Sequence, residues 1–394
     1  MIEQIDKQYV LQTYARNYVN FKKGVNATLF DENEKDYIDF TSGIAVVSVG
    51  HGNKRVADAI YKQISNITHM SNLYTIEPQA LLAKRICELS KMEIGTFFSN
   101  SGAEANEGAI KIARKYGETQ FEKKRYKVIT LTHSFHGRTI TTVKATGQKS
   151  MHTPSFAPYP EGFSYNHSIE EIYKAIDDET AAVMIELVQG EGGVQPLDKD
   201  EVQKLAKFLK EKKILLIVDE VQTGAFRTGE FLASSVYEIQ PDIITMAKGL
   251  GGGVPIGAIL TTHKDILTFG DHGSTFGGNF LSTRAALEVL DILEETKDSG
   301  ALDETIIHFK SKLNEVYEKN THLFTKEVGL GLMRGLRVKD ADTLTQIINN
   351  SFNEGVLVLK AGKHTLRLLP PLTISKEEIN EGFKRLENAL SKIK

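Results

Sequence analysis

Residues 200–221 read DEVQKLAKFLKEKKILLIVDEV, a helical pattern that runs directly into an apolar strand pattern. Apolar side chains recur at the three- and four-residue spacing of an α-helix over Asp200–Lys212. They form one face made of Val202, Leu205, Phe208 and Leu209. The run ILLIV that follows is apolar throughout, which is typical of a strand covered on both sides. This helix and strand predict one unit of an α/β fold whose sheet is largely parallel.

The same alternation extends from about residue 91 to residue 262. Further apolar runs are GTFFS (95–99), YKVITLT (126–132), AAVMIELV (181–188), DIITMA (242–247) and IGAILTT (256–262). The ends differ, since residues 26–40 fit a hairpin around Asp31–Lys35, and helical patterns beyond residue 281 lead to a terminal helix over Lys376–Ile393. We expect a large domain over residues 51–285 and a small α+β domain over residues 286–394. The N-terminal segment, residues 1–50, is expected to pack with the small domain.

The composition narrows the possible partners and the compartment. The chain of 394 residues is 41% apolar and 25% charged with a net charge of −3, so its charge favours neither nucleic acid nor an anionic membrane. Its single cysteine, Cys87, permits no internal disulfide, and its histidines lack the spacing of a metal site. The N-terminus carries no secretory pattern, and the apolar runs are too short to span a bilayer. We expect a cytoplasmic protein without a metal.

Lys248 follows one of the apolar runs, in the glycine-rich stretch TMAKGLGGGVPIGA (245–258). Ligands of an open parallel sheet bind beyond the carboxyl ends of its strands, so this lysine is a candidate site residue. Val254 and Ile256 occupy places where a dinucleotide-binding G-x-G-x-x-G motif needs glycine, and Ala247 stands where a Walker A motif needs one. The spacing therefore disfavours a phosphate loop and a nicotinamide-dependent dehydrogenase. It leaves a buried amine nucleophile or a solvated charge at the end of an element.

Polar groups at the other strand ends each allow two interpretations. Ser101 and Gly102 open a helix after GTFFS, where they would bind a phosphate through backbone N–H groups or form only an N-cap turn. Asp219 and Glu220 end the strand ILLIVDEV and need a ligand nitrogen, a structural arginine or a helix to cap. The SFHGRT loop (134–139) offers a ring for stacking and an arginine for a carboxylate, or a core phenylalanine and a surface arginine.

The ordered set of motifs resembles the class III (subgroup II) pyridoxal-phosphate-dependent aminotransferases. The motifs are SGAEANEGAIKIAR (101–114), SFHGRT (134–139), IELVQGEGG (185–193), DEVQTG (219–224), TMAKGLGGGVPIGA (245–258) and HGSTFGGN (272–279). The resemblance covers nearly the whole chain. It implies the type I fold of these transferases, with a large, mostly parallel-sheet domain and a smaller α+β domain. It also implies pyridoxal 5′-phosphate as cofactor and a homodimer that shares its active sites.

The resemblance assigns catalysis to Lys248, as the lysine that binds the cofactor covalently, and to Asp219, as the partner of the cofactor's ring nitrogen. Thr275 is expected to reach the cofactor phosphate of the neighbouring subunit. The complete set of implied cofactor contacts is Ser101, Gly102, Ala103, Phe135, Asp219, Glu220, Val221, Gln222, Lys248 and Thr275.

The resemblance also implies how two substrates bind. Arg138 would bind the carboxylate of the amino donor, and Arg367 the α-carboxylate of 2-oxoglutarate or glutamate. Glu191 would pair with Arg367 and release it when glutamate arrives, while Ser274 and Tyr14 are further expected substrate contacts.

The implied reaction converts N2-acetylornithine and 2-oxoglutarate to N-acetylglutamate 5-semialdehyde and glutamate, a step of arginine biosynthesis. Ile44 stands where the family's ornithine-specific members have a tyrosine, which favours an acylated donor. Succinylornithine, ornithine, 4-aminobutyrate and acetyl-lysine are the alternative donors.

Overall fold

The computed structural model describes residues 2–393. The helices are α1 (Ile2–Tyr9), α2 (Ser42–Ala45), α3 (Lys54–Ile64), α4 (Glu77–Ser90), α5 (Gly102–Thr119), α6 (Ile140–Ala145), α7 (Ile169–Ala175), α8 (Lys199–Lys212), α9 (Ala233–Val236), α10 (Phe280–Asp298), α11 (Ala301–Lys319), α12 (Ala341–Asn353) and α13 (Lys376–Leu390). The strands are β1 (Phe21–Val25), β2 (Thr28–Asp31), β3 (Asp36–Asp39), β4 (Gly95–Ser99), β5 (Lys127–Leu131), β6 (Phe163–Asn166), β7 (Thr180–Ile185), β8 (Val188–Gln189), β9 (Gln195–Pro196), β10 (Leu215–Asp219), β11 (Ile243–Met246), β12 (Gly257–Thr261), β13 (Phe324–Leu330), β14 (Met333–Val338), β15 (Val356–Leu357), β16 (Leu359–Ala361) and β17 (Thr365–Leu368).

The central sheet has seven strands in the order β4-β12-β11-β10-β7-β5-β6. β12 runs antiparallel to both of its neighbours, and all other neighbouring strands pair in parallel. Leu215 and Ile217 of β10 pack in the cluster that contains α5, whereas Leu216 and Val218 pack in the cluster that contains α8. β10 is apolar throughout because helices cover both faces of the sheet. The predicted α/β fold is confirmed.

Six strands bring their carboxyl ends to one edge of this sheet, and five of them, β4, β5, β7, β10 and β11, lead into the segments that carry candidate site residues. The last residues of these strands are Ser99, Leu131, Ile185, Asp219 and Met246. Each is followed by one of the polar segments that the sequence singled out. The edge is therefore where this fold assembles a site.

The N-terminal segment and the C-terminal part share a second sheet, β1-β2-β3-β15, in which β3 and β15 pair in parallel. β2 and β3 form the predicted hairpin. The Glu378 carboxylate of α13 accepts hydrogen bonds from Asn26 Nδ2 at 2.5 Å, Ala27 N at 2.9 Å and Thr28 Oγ1 at 3.0 Å. These contacts are in line with the predicted association of the two segments. The three-part division stays a prediction, and its boundary after residue 285 falls within α10, which packs against α3 and α4.

The third sheet, β13-β14-β17-β16, is antiparallel throughout. It carries Arg367 on β17 and meets the central domain through its β16–β17 turn, where Gly362 N donates to Glu191 O at 2.8 Å. The third sheet thus positions Arg367 at the edge of the central sheet. Among the helices of residues 2–393, none has both the length and the apolar character that a membrane crossing needs.

Candidate active site

Lys248 opens a tight turn directly beyond β11. Its φ of 44° is left-handed, and Gly252 and Gly253, with φ of 57° and 118°, let the chain turn back toward β12. Ser48 Oγ donates to Gly249 O at 2.7 Å and fixes this turn from the N-terminal segment. The glycines therefore shape the backbone that presents the lysine.

The Lys248 amine is placed to act as a nucleophile. Its pKa is lowered from 10.5 to about 8, chiefly by burial and next by the positive charge of Arg367. The negative charges of Glu191, Asp219 and Glu186 act in the opposite direction. A fraction of the amine is consequently unprotonated near neutral pH, as attack on a carbonyl carbon requires.

The Asp219 carboxylate is buried and held by donors from three segments. Its Oδ2 accepts hydrogen bonds from His136 Nδ1 at 2.8 Å and Asn106 Nδ2 at 2.7 Å, and its Oδ1 accepts one from Val221 N at 3.0 Å. Asn106 is fixed in turn, because its Oδ1 accepts a hydrogen bond from Thr245 Oγ1 at 2.7 Å. These donors hold the carboxylate in one orientation, in which it can pair with a protonated ligand nitrogen.

The start of α5 offers backbone donors to an anion. Ser101 is the N-cap, and its hydroxyl accepts a hydrogen bond from Glu104 N at 3.2 Å. The N–H groups of Gly102 and Ala103 lie in the first turn, which has no intrahelical acceptors for them. A Cβ added at Gly102 would lie 2.7 Å from Val221 Cγ1, so only glycine allows this close approach of helix and strand end.

These groups converge on one cavity of about 370 Å³. The predicted residues that line it are Ser101, Gly102, Ala103, Phe135, Arg138, Glu191, Asp219, Val221, Gln222 and Lys248. The amine, the carboxylate, the aromatic ring and the helix start thus lie around a single space.

Two arginines near the cavity differ in how they are paired. Arg367 Nη1 donates to Glu191 Oε1 at 2.6 Å, and its side chain is 3% exposed against 30% for Glu191. Arg138 is exposed beside the ring of Phe135, at 5.5 Å between guanidinium carbon and ring centroid. It makes no hydrogen bond or ion pair to any other part of residues 2–393. One cationic group is therefore free, and the other is covered by a carboxylate.

The structure places the Glu220 side chain outside this cavity. Its carboxylate accepts hydrogen bonds from Ala233 N at 2.6 Å and from Ser234 N at 2.8 Å, at the start of α9. Because successive residues of an extended strand point to opposite faces, Glu220 points away from the cavity that Asp219 enters. Burial raises the pKa of Glu220, and these donors oppose the rise. The helix-cap interpretation therefore holds for this residue.

Three further predicted residues lie outside the cavity in the single chain. Ser274 and Thr275 line a separate cavity of about 930 Å³, where Ser274 Oγ accepts a hydrogen bond from Asn100 Nδ2 at 3.1 Å. Tyr14 is exposed, with the Arg16 guanidinium carbon 5.5 Å from its ring centroid.

Sequence reasoning missed His136, Asn106 and Glu186. The first two hold Asp219, and Glu186 lines the cavity with its pKa raised to about 7, chiefly by burial. His136 and Glu186 lie within quoted motifs, and Asn106 follows Gly102 by one helical turn. The helical spacing was the available signal for Asn106.

Comparisons with known proteins identify the family. The sequence profile described as Aminotransferase class-III matches residues 10–390. Acetylornithine aminotransferase of Wolinella succinogenes is 58% identical over 394 residues, which cover 100% of both chains. A relative of the same name from Caldanaerobacter subterraneus is 42% identical over 99% of each chain. The chain belongs to the class III aminotransferases, which depend on pyridoxal 5′-phosphate.

Solved structures agree with this membership. Ornithine aminotransferase from Toxoplasma gondii has a TM-score of 0.92 at 31% identity and covers 99% of this chain and 94% of its own. N-acetylornithine aminotransferase from Stenotrophomonas maltophilia has a TM-score of 0.82 at 30% identity and 98% coverage of both chains. The alternative of a nicotinamide-dependent dehydrogenase is set aside. The donor set of the cavity fits the family's cofactor, since it offers an amine to a carbonyl carbon, a carboxylate to a ring nitrogen and a helix start to a phosphate.

The reactivity of Lys248 in the cofactor-free protein should report its lowered pKa. Only the unprotonated amine reacts with an acylating reagent, so modification should rise with pH and reach half its maximum near pH 8. Arg367→Met should move this midpoint upward, because it removes a positive charge and leaves Glu191 unpaired. Mass spectrometry of the peptide that contains Lys248 measures both values, with exposed lysines as internal references. A midpoint at about pH 10.4, which is the pKa of a solvated lysine, would contradict the lowered pKa of Lys248.

Proposed function

We propose that this class III aminotransferase moves the terminal amino group of N2-acetylornithine to 2-oxoglutarate, in arginine biosynthesis. The observation that carries the proposal is one cavity lined by Lys248, Asp219 and Arg138. Glu191 also lines this cavity and covers a second arginine, Arg367. Two carboxylate-bearing substrates of different shape use one site in turn. Such a site needs one arginine that is always free and a second arginine that can be covered or exposed. The names of the relatives from Wolinella succinogenes and Caldanaerobacter subterraneus support the choice of donor.

The residues of the cavity have distinct roles toward the cofactor. Lys248 would hold it covalently, the start of α5 would bind its phosphate, and Phe135 would cover its ring. Asp219 would keep a proton on its ring nitrogen. When bound, pyridoxal 5′-phosphate supplies an electron sink for the charge that develops on the substrate carbon. Lys248 Nζ, released when the donor amine takes its place, would accept the proton of that carbon. It would then deliver the proton to the carbon that keeps the amino group.

The two arginines would divide the substrates. Arg138, free at the cavity, would bind the carboxylate of the donor through a bidentate pair. Arg367 would bind the α-carboxylate of 2-oxoglutarate after Glu191 leaves it. Covering Arg367 with Glu191 during the donor half-reaction avoids an unpaired buried cation.

The turn that carries Ile44 supports an acylated donor. Ser42, Gly43, Ile44 and Ala45 all have positive φ, and the next residue, Val46, lines the cavity. An apolar side chain held in this strained turn gives no partner to a free α-amino group.

We also propose a cytoplasmic homodimer in which Thr275 and Ser274 complete the site of the neighbouring subunit. Both residues lie outside this chain's own cavity, on a surface with exposed Leu73, Phe269 and Phe276. Exposed apolar patches of this kind mark interaction surfaces. A second copy would cover them and bring Thr275 to a phosphate.

Paired kinetics decide the donor. We expect kcat/KM for N2-acetylornithine to exceed that for ornithine and for 4-aminobutyrate by about 10-fold or more. Ornithine places a charged amine, and 4-aminobutyrate places no group, where the site accommodates the acyl group. Ile44→Tyr should reduce the ratio of kcat/KM for N2-acetylornithine to kcat/KM for ornithine. Equal or higher kcat/KM for 4-aminobutyrate would overturn the proposed donor while leaving the aminotransferase assignment in place.

Single-turnover measurements separate the two arginines. Arg367→Ala should slow the 2-oxoglutarate half-reaction about 10- to 100-fold and donor deamination much less, since it removes charge-assisted hydrogen bonds to one substrate only. Arg138→Ala should have the reverse effect. Equal losses in both half-reactions for either variant would refute the division of roles.

Sedimentation tests the shared site. The double variant Leu73→Asp with Phe276→Asp should sediment as a monomer of 43.8 kDa and bind pyridoxal 5′-phosphate more weakly than the unaltered dimer. Ile307→Asp is the control, because Ile307 is an exposed apolar residue of α11 that does not line the cavity of Thr275. A fully active, unaltered protein that sediments as a monomer would contradict the proposal.

A further inference from the structure

Arg337 is a buried arginine with neutral partners. It lies in β14, opposite Thr365 of β17, and is 9% exposed. Its Nη1 donates to Gly362 O at 3.2 Å and to Thr365 Oγ1, and its Nη2 donates to Gln195 Oε1 at 3.1 Å. Within the described chain it pairs with no carboxylate, and burial lowers its pKa. Burying a cation without an ionic partner costs free energy, which suggests that the contacts of Arg337 serve a purpose other than stability.

The partners of Arg337 belong to two segments that carry the Glu191–Arg367 ion pair. Gln195 directly follows the loop Gly190–Val194, which contains Glu191. Gly362 lies in the turn before β17, and Thr365 is the first residue of β17, two residues before Arg367. Arg337 therefore bonds to both segments at once.

The two segments also contact each other around the guanidinium. Gly362 N donates to Glu191 O at 2.8 Å, and Thr365 Oγ1 lies 3.4 Å from Gly193 O. A Cβ added at Gly193 would clash with Arg337 Nη1 and Gly362 O, so the loop lies against the arginine without free space. A change of this side chain therefore changes the support of the Glu191 loop.

We propose that Arg337 is a positioning residue that clamps the Glu191 loop to the turn before Arg367 and so favours the closed Glu191–Arg367 ion pair. The inference rests on the proposed function of that pair. A dicarboxylate that binds Arg367 must first displace Glu191, and its apparent affinity is reduced by the cost of opening the pair. Weakening the clamp lowers this cost.

Glutarate, an unreactive dicarboxylate, is the probe for this effect. In the holoenzyme, Arg337→Met should lower the Kd of glutarate about fivefold, as measured by titration calorimetry. In a Glu191→Ala background the same substitution should change the Kd less than about twofold, because the clamp acts only through Glu191. This dependence on Glu191 separates positioning from a general loss of structure.

Arg334 provides the matched control. It lies in the same strand, is also 9% exposed, and binds Gly331 O at 2.9 Å and Glu327 Oε1 at 3.3 Å within its own hairpin. Arg334→Met should reduce thermal stability as Arg337→Met does and leave the glutarate Kd unchanged. If Arg337→Met does not fold, Gln195→Leu removes one of the clamp contacts and should shift the Kd in the same direction by a smaller factor.

The outcomes distinguish the clamp from the underlying function. An unchanged glutarate Kd in folded Arg337→Met, an equal shift in Arg334→Met, or an equal shift in the Glu191→Ala background would each overturn the clamp. If the unaltered holoenzyme binds no glutarate, or if Glu191→Ala does not lower the Kd of glutarate, the proposed role of the ion pair is wrong instead.

Discussion

Burying a carboxylate costs several kcal/mol unless hydrogen bonds replace its water, and Asp219 is 4% exposed at the end of β10. Its donors come from α5, from the loop after β5 and from its own strand end. The carboxylate therefore fixes a helix and a loop relative to the central strand. The start of α5 and the ring of Phe135 belong to those same segments, so the phosphate turn and the stacking surface depend on how Asp219 is satisfied.

The remaining charges of the site balance one another around Lys248. Arg367 favours the neutral amine, and Glu191, Glu186 and Asp219 favour the ammonium form, while burial decides the result in favour of a pKa of about 8. The pKa of Glu186 is itself raised to about 7, chiefly by burial, so this carboxyl group changes its protonation state near neutral pH. The Glu186 carboxylate also accepts hydrogen bonds from Phe135 N at 2.9 Å and Gly190 N at 3.3 Å, so its protonation state is coupled to the loops that carry these two residues.

The sequence was informative where local chemistry decides position. The strand-end rule and the motifs placed Lys248 and Asp219 at the sheet edge, because a parallel sheet brings its carboxyl ends together. The orientation of Glu220 depends on the alternation of side chains at one strand end, and the hydrogen-bond partners of Asn106 lie far away along the chain. Neither contact follows from a motif. Thr275 could not be placed either, since its expected ligand lies in a second copy.

The strand that carries Arg367 is held at both ends by buried arginines with neutral partners. Arg337 bonds to Thr365 before it, and Arg227 Nη1 donates to Pro370 O at 2.5 Å beyond it. Burial lowers the pKa of Arg227 to about 9, and its Nη1 donates to the backbone carbonyl oxygens of Leu332 and Pro370. An arginine on so fixed a strand has little room to move. Glu191 is the more exposed partner and lies in a loop, so opening of the ion pair must come from the glutamate side.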